Sequence, residues 1–555
     1  MNCLKDSSWP SYPRAVASCL TQNSHEHRTS TLLAENDVLP ALARLLQGNP
    51  LYAAKAAQVL AEIAKNEEMK TPCIEAGLMP ILILLLESTD QDMLLHAGRT
   101  IGRICYDNND LQERLVGAGV IPSLIRIMSD YPDNEPLVRV NLLALSNLAE
   151  LDTAKEALSK TKVAELLVHQ LRTTSHHEKT EIILEVLQTL AENDILKLQL
   201  TNAGIQDAVV EILQRLQENS KPEDMGSLKA TSDLIVSLLL GDESMQRLFA
   251  DGQGVIYQNV GIWLTSEHNQ LQLTGALAIA NFARNDSNCV RMVQLGVVHQ
   301  LLDLLEKHVE NGDVSVQHAA LSALRNLAIP VANKVQMLDD GVGKRIQMLL
   351  RSEMPPVQFK LLGVLRMLMD GQADAAEELG QDAMLLNRLV QWCDSRDHAG
   401  VCGEANRLLA SLIRHSRSQE VVRAIQEAQA TKHLVSMATS EHAIMQNEAL
   451  IALAIASAVN LEIIKEDFKE AQLVQSIHKL LQDENIGPEV KYNSIGLLCS
   501  LLNAGDLKQD AEEDNMKETL EKLCGHSNDN VAKQALMALQ ILNDEHSLLG
   551  PSLRL

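Results

Sequence analysis

The segment AGVIPSL at residues 118–124 and the segment AGLMPIL at residues 76–82 are two copies of one phrase. In each copy a small residue and a glycine precede apolar residues whose spacing continues as one face of a helix. The phrase recurs as AGI at residues 203–205, and Gly296-Val297-Val298 and Gly341-Val342 keep its glycine. Glycine supplies the backbone freedom that a tight turn before a helix requires. The phrase therefore predicts the start of an equivalent helix in successive repeats.

Copies of this phrase recur along nearly the whole chain. With the degenerate copies included, the starting positions are Asp37, Gly77, Gly119, Lys162, Gly204, Gly254, Gly296, Gly341, Met384, Gln429, Gln472 and Asn515. Their spacing falls within the roughly 40–47 residues of armadillo and HEAT units, except between Gly204 and Gly254. In that longer interval residues 218–224 predict an inserted loop.

A longer helix follows each phrase after about 25–30 residues. ALSALRNLA at residues 320–328 and GALAIANFA at residues 275–283 are examples, with apolar residues three and four apart and small residues that permit close packing. Armadillo repeats end their third helix in a similar Asn-Leu-Ala phrase. We therefore predict an all-α fold, a right-handed armadillo-repeat solenoid of about 12 repeats of about 43 residues. It covers residues 31–545, after an atypical or disordered N-terminal segment (1–30) and before a C-terminal tail (546–555).

Composition and charge narrow the classes of partner. The 555 residues contain 73 acidic and 48 basic side chains, a net charge of −25, and only 2% are aromatic. Nucleic-acid binding requires a basic footprint and usually stacking aromatic residues, so we predict no nucleic-acid partner. A basic protein partner is favoured, although acidity also serves solubility alone. The nine cysteines stand singly, which predicts reduced thiols in the cytosol. The sequence contains no run of 18 apolar residues, so we predict no membrane-spanning helix.

The sequence lacks the motifs of an enzyme or a cofactor-binding protein. Gly252-Gln253-Gly254 and Gly341–Lys344 have the wrong spacing for a phosphate-binding loop and predict turns between helices. His176-His177-Glu178 and His25-Glu26-His27 lie in polar segments without further ligand groups, so no metal site is predicted. We therefore predict no catalytic residue, no metal and no cofactor.

Acidic residues recur where the third helices end. Glu192 with Asp194 and Asp242 with Glu243 are two such pairs, and repeat stacking would place them along one edge of the solenoid. A row of carboxylates predicts binding of a tail rich in Lys and Arg through screened attraction. The alternative is local: such residues also cap the next helix and stabilise its positive end.

Asn147, Asn281 and Asn326 occupy equivalent places in three third helices. Asn is an unfavourable residue inside a helix, so its recurrence suggests a role in hydrogen bonding to a partner's backbone. The alternative is a side-chain to backbone bond that helps to end the helix. Importin-α-type adaptors place a Trp one turn before this Asn, whereas Leu143, Leu277 and Ser322 occupy that position here. β-Catenin-like scaffolds have a basic groove that receives acidic peptides, whereas the net charge of this chain is negative.

Longer segments resemble the SmgGDS family of GDP-dissociation stimulators. The resemblance is carried by GDESMQ at 241–246, GALAIANFARND at 275–286, VQHAALSALRNLAIP at 316–330, SEMPPVQFK at 352–360, DHAG at 397–400, MATSEH at 437–442 and KYNS at 491–494. It extends over roughly residues 35–545. The first thirty residues depart from the family pattern.

The resemblance implies a function that needs no covalent chemistry. Family members promote GDP release from Rho- and Ras-family GTPases with a C-terminal polybasic and usually prenylated tail, and act as their cytosolic chaperones. It implies that Glu192, Asp194, Asp242 and Glu243 meet the tail. Asn281, Asn285 and Asn326 would contact the GTPase body, with Asn147 at the equivalent position. We expect a cytosolic monomer, with the nucleus as a second location and no insertion into membranes. The alternative function is an acidic-groove transport or scaffold adaptor without exchange activity.

Overall fold

A computed structural model of the chain describes residues 38–218, 224–310 and 312–544. Within these ranges the chain forms helices and turns, and no strand is present. The residues divide into two compact units, Met1–Val260 and Gly261–Leu555. The predicted N-terminal segment (1–30) and the C-terminal tail (546–555) lie outside the described residues, as does most of the predicted loop at 218–224.

Each repeat contributes a short first helix, a second helix and a longer third helix. In the first unit the α-helices are α1 Val38–Leu46, α2 Pro50–Ile63, α3 Lys70–Glu75, α4 Leu78–Leu85, α5 Gln91–Cys105, α6 Asn109–Gly117, α7 Val120–Asp130, α8 Glu135–Leu148, α9 Asp152–Ser159, α10 Val163–Thr173, α11 His177–Leu190, α12 Asp194–Asn202, α13 Ile205–Glu218, α14 Met225–Leu240 and α15 Asp242–Phe249. The boundary between the units lies inside α16 Val255–Leu264.

The second unit continues the same order of helices. They are α17 Asn269–Phe282, α18 Asp286–Gln294, α19 Val297–Lys307, α20 Val314–Leu327, α21 Val331–Asp339, α22 Val342–Arg345, α23 Pro355–Met369, α24 Ala373–Gly380, α25 Ala383–Cys393, α26 Ala399–Ser416, α27 Gln419–Glu427, α28 Thr431–Ala438, α29 Ala443–Glu470, α30 Leu473–Gln482, α31 Pro488–Leu501, α32 Gly505–Glu513, α33 Met516–Leu523 and α34 Asp529–Asn543. Short 3-10 segments at Glu67–Met69, Ala250–Gly252 and Ile346–Arg351 complete the described helices.

The repeated phrase marks the start of the second helix, as predicted. Gly77, Gly119 and Gly296 directly precede α4, α7 and α19, and each has a left-handed backbone, with φ of 71°, 86° and 85°. Among the degenerate copies, Gln472 and Asn515 take the same conformation, with φ of 57° in both. Gly254 serves a different purpose, because a Cβ there would lie 1.7 Å from the Leu248 carbonyl oxygen. The left-handed turn thus persists at Gln472 and Asn515, where the glycine is lost, but not at Lys162, where φ is −90°.

Third helices pack side by side within each unit. In the first unit α2, α5, α8, α11 and α14 form one such series, and in the second α17, α20, α23, α26, α29, α31 and α34 form another. The core between the helix layers is aliphatic, and Leu, Ile, Val and Ala predominate in it. Its buried aromatic residues include Trp263, Phe249, Phe282, Trp392 and Phe468. The predicted armadillo-repeat fold is confirmed, and each unit presents a face made of third helices.

Helix α29 is long and apolar enough to cross a membrane by length and composition alone, and it is the one such helix among the described residues. Its backbone leaves the helical conformation at Asn460, where φ is −165° and ψ is 95°. The residues before this kink form a third helix that packs against α26 and α31, and those after it form the next first helix. Repeat packing therefore accounts for its apolar side chains.

Candidate functional site

The three predicted asparagines lie on the third-helix faces, but they do not make the same bonds. Asn147 donates from Nδ2 to the carbonyl oxygen of Gly102 at 3.3 Å, and Asn326 donates to that of Ala280 at 3.1 Å. Both bonds join neighbouring third helices. Asn281 instead donates to Leu277 in its own helix at 2.9 Å. All three side chains are half-buried, and these bonds use the amide hydrogens, so the amide oxygens remain suited to accept an N–H from a partner.

Polar bridges between third helices extend beyond the predicted residues. Gln188 of α11 donates to Ser237 Oγ of α14 at 2.7 Å, and Asn493 of α31 donates to Asn447 Oδ1 of α29 at 2.9 Å. Sequence reasoning missed these residues. A signal existed for Asn493, because it lies within the KYNS segment at 491–494. The asparagine position is thus one part of a wider set of polar bridges on these faces.

A groove of about 840 Å³ lies on the third-helix face of the first unit, along α5, α8 and α11. Asn147 lines it together with the exposed side chains of Tyr106 and Leu143. Glycines on α5 create the space: a Cβ at Gly98 would lie 3.0 Å from Val140, whereas one at Gly102 would meet nothing within 4 Å. The groove therefore combines an apolar surface with an amide that accepts hydrogen bonds.

The charges of this groove are mostly paired across α8 and α11. Arg139 lies 2.7 Å from Glu178, and Lys179 lies 2.8 Å from Glu135. Arg99 has no hydrogen-bond or ion-pair partner in the part of the chain that the structure describes. Because the groove is lined by these cations, it is poorly suited to a polybasic segment. The predicted acidic residues lie elsewhere, at the ends of the third helices.

Several polar residues between the third and first helices cap the following helix. Asn193 Oδ1 accepts from the backbone amides of Ile195 and Leu196, at 3.0 and 3.1 Å. Asn285 Oδ1 accepts from those of Ser287 and Asn288, at 3.0 and 3.2 Å. Capping satisfies amides that a helix start leaves without partners. Asn285 therefore caps α18, and its contact with a GTPase stays a prediction.

Glu192 and Asp194 each bond to a buried lysine. Lys155 Nζ lies 2.5 Å from Glu192, and Lys197 Nζ lies 3.0 Å from Asp194. Both lysine side chains are 7% exposed, whereas the two acids are 65% and 86% exposed. A buried ammonium group requires a counter-charge, so these carboxylates stabilise the fold. Their exposure also leaves them accessible to a partner.

Asp242 and Glu243 begin helix α15, where negative charge favours the positive end of the helix dipole. Both are exposed, and Glu243 lies 3.0 Å from Arg247 on the same helix. Lys197 reaches this turn as well, because a Cβ at Gly241 would lie 3.4 Å from its Nζ. Lys197 thus lies between Asp194 of α12 and the turn that begins α15.

No group of three His, Cys, Asp or Glu side chains within the described ranges is arranged to hold a metal ion. The cysteines observed there are free thiols. Burial raises the pKa of Cys73, Cys105 and Cys289 to about 12, which is the behaviour of core thiols. Their environment is that of packed apolar residues.

Comparison with known proteins assigns the family. Residues 285–329, from the α18 cap through α20, match the armadillo/β-catenin-like repeat model. The chain is 46% identical to Rap1 GTPase-GDP dissociation stimulator 1-A of Xenopus laevis, over 94% of this chain and 95% of that protein. This protein belongs to the SmgGDS family of GTPase-GDP dissociation stimulators. The family member vimar, a GTPase-GDP dissociation stimulator of Drosophila melanogaster, is 31% identical over 86% of this chain and 81% of its own.

Similarity to solved structures supports the fold of this SmgGDS family member. A structure from a study of the interaction between cadherin and β-catenin aligns with 98% of this chain and 99% of its own, with a TM-score of 0.53. Sequence identity in that alignment is 15%, so it bears on the armadillo architecture alone.

Proposed function

We propose that this protein stimulates GDP release from small GTPases of the Rho and Ras families and chaperones them in the cytosol. The observation that carries the proposal is its 46% identity, over almost the whole chain, to a protein named as a GTPase-GDP dissociation stimulator. The proposed partners carry a C-terminal polybasic and prenylated tail. The protein acts as a monomer, in the cytosol and secondarily in the nucleus.

The proposed stimulation needs no covalent step. A protein accelerates GDP release when it binds the nucleotide-free GTPase more tightly than the GDP-bound form. Each tenfold acceleration requires about 1.4 kcal/mol of preferential binding to the state through which GDP leaves. Extended faces of third helices suit this task, because a large surface distinguishes two conformations of a partner through many weak contacts.

The exposed acids and the third-helix amides have separate proposed roles. Asp194, Asp242 and Glu243 attract the basic tail, with Glu192 supporting them while it holds Lys155. Asn281 and Asn326 accept hydrogen bonds from the GTPase body through their amide oxygens. Exposed carboxylates act mainly on the association rate, so the tail contribution should decline with salt.

The groove of the first unit is a proposed contact for the partner through Asn147, Tyr106 and Leu143. Gly102→Leu tests this role, because the open space beside Gly102 accommodates the new side chain and leucine favours a helix interior more than glycine does. We expect unchanged or higher thermal stability together with at least tenfold weaker GTPase binding. Gly117→Leu, at the end of α6 where space is also open, is the matched control. Equal affinity of the two variants would exclude the groove as a contact.

The function is tested by measuring release of fluorescent GDP from Rap1, with and without this protein. Prenylated, unprenylated and tail-deleted Rap1 are compared at low and high salt. The expected result is faster release that depends on the tail and weakens with salt. Tight binding of Rap1 without faster GDP release would contradict the exchange activity and favour a chaperone or an adaptor function. Absence of binding to every form, with a Rho GTPase tested in parallel, would overturn the proposal.

A further inference from the structure

Three basic side chains on the third-helix face of the second unit have no acidic partner within the described residues. His318 and Arg325 lie on α20, and Lys360 lies on α23; each is half-buried. Their side chains form no hydrogen bond and no ion pair in the part of the chain that the structure describes. Burial and the Arg325 guanidinium lower the pKa of Lys360, and burial and Lys360 lower that of His318. Arg325 and Lys360 are thus close enough to repel each other, and His318 beside them is uncharged at neutral pH.

Other cations of the same face are paired. Arg366 of α23 lies 3.1 Å from Glu404, and Arg407 of α26 lies 2.8 Å from Glu448. The protein carries an excess of 25 negative charges, so an unpaired basic cluster is opposite in sign to the net charge of the chain. Half-buried like charges without counter-charges destabilise a folded protein. This arrangement is suited to a partner that supplies the missing negative charge.

Glycines and one aromatic residue shape the surface around the cluster. A Cβ at Gly363 would lie 3.6 Å from Arg325 Cδ, so the glycine leaves room for this side chain across α23. Phe359, next to Lys360, is 40% exposed, and a Cβ at Gly400 would lie 3.6 Å from its ring. The surface formed by His318, Arg325, Phe359 and Lys360, hereafter the basic face, therefore offers positive charge beside an apolar contact.

We propose that the basic face binds an acidic segment of the GTPase body, one with at least two carboxylates beside an apolar side chain. This inference rests on the proposed function and adds a second, oppositely charged contact to the one made by the polybasic tail. Asn326 follows Arg325 in α20, so the basic face adjoins an amide already assigned to the GTPase body. Contacts of opposite sign for tail and body fix the orientation of the partner, because reversing it would bring like charges together.

The test compares Arg325→Gln/Lys360→Gln and Arg325→Glu/Lys360→Glu with the matched pair Arg423→Glu/Lys432→Glu. The control residues are exposed and lie on α27 and α28, outside the third helices. The GTPase used is Rap1 with its basic tail deleted, so that the acids of the first unit do not contribute. A labelled peptide, Glu-Asp-Glu-Leu-Asp-Glu, is a second, GTPase-independent ligand.

We expect the Glu variant to bind tail-deleted Rap1 at least tenfold more weakly than the control does, and the Gln variant to fall between them. The Gln variant should unfold at the same or a higher temperature than wild type, because it loses like-charge repulsion. A structural role would instead lower that temperature. Equal binding of tail-deleted Rap1 by the Glu variant and the control overturns the inference.

The peptide separates this inference from the proposed function. If wild-type protein binds no form of Rap1 or of a Rho GTPase, the proposed function fails. Peptide binding that is lost in the Glu variant would then still support recognition of an acidic segment by the basic face. Equal peptide binding by the Glu variant and the control would overturn that recognition as well.

Discussion

Glu192 and Glu243 are exposed carboxylates near the starts of α12 and α15, but they differ in the cation that each one faces. Lys155 beside Glu192 is buried, whereas Arg247 beside Glu243 is itself 47% exposed. Glu192→Gln should lower the free energy of unfolding by roughly 1–3 kcal/mol, because it leaves a buried ammonium group without a counter-charge. Glu243→Gln should change it by less than about 1 kcal/mol, since exposed ion pairs contribute little.

Thermal unfolding and titration with a Lys-rich peptide check this difference. Both variants should bind the peptide more weakly, and only Glu192→Gln should melt at a lower temperature. Equal melting temperatures would show that Lys155 does not depend on Glu192. Unchanged peptide affinity in Glu243→Gln would remove this acid from the proposed tail contact.

Core thiols should be chemically inert in the folded protein. With a pKa of about 12, Cys73, Cys105 and Cys289 are about one part in ten thousand thiolate at pH 8. We expect iodoacetamide to modify the partly exposed Cys524 before these three, which it should reach only after denaturation. Peptide mapping by mass spectrometry measures the order. Rapid native modification of Cys289 would show that the α18 region opens frequently.

At the scale of the helices, the sequence predicted the position of the turn before the second helices. It did not predict the backbone strain at turns where a residue other than glycine takes a left-handed conformation. Gln472 has a left-handed backbone, with φ of 57° and ψ of 46°, at a position where the repeat otherwise uses glycine. Gln472→Gly should raise the free energy of unfolding by roughly 0.5–1 kcal/mol, because glycine removes the clash of Cβ in this conformation. Gly341→Gln, in the equivalent turn with φ of 78°, should destabilise by a similar amount.

Denaturant unfolding of the two variants measures both effects in one protein. Opposite shifts of the transition midpoint are expected. A lower midpoint for Gln472→Gly would mean that the glutamine side chain stabilises the turn by more than the backbone strain costs.

The sequence predicted the order of the helices better than the roles of the polar residues on them. The repeated phrase located the second helices from α1 to α33, because a turn followed by apolar periodicity is a local signal. Lys155, Lys197 and Lys334 show what such signals omit: each is the fourth residue of a first helix and reaches an acid. Whether an exposed acid caps a helix, neutralises a buried lysine or awaits a partner depends on tertiary neighbours, which sequence spacing alone does not specify.

At the scale of the whole molecule, overall acidity did not predict the charge of each surface. The exposed acids named for the tail lie at helix starts, whereas Arg325 and Lys360 place positive charge on a third-helix face. The division at Val260 also lacked a signal, because it falls inside α16 rather than in a linker rich in Pro, Gly or Ser. Net charge is a sum over the whole sequence, and it does not show which surface of the folded protein carries which charges.

That separation predicts how salt affects partner binding. The association rate of a tail-bearing GTPase should fall at least tenfold between 50 and 500 mM salt, roughly the range over which screening shortens from beyond 10 Å to a few ångströms. Tail-deleted Rap1 should retain a weaker salt dependence of its association rate, which the Arg325→Gln/Lys360→Gln variant reduces further. Stopped-flow mixing measures both rates. Identical salt dependence for tail-bearing and tail-deleted Rap1 would contradict long-range attraction by the acids, since the tail is the only difference between the two ligands.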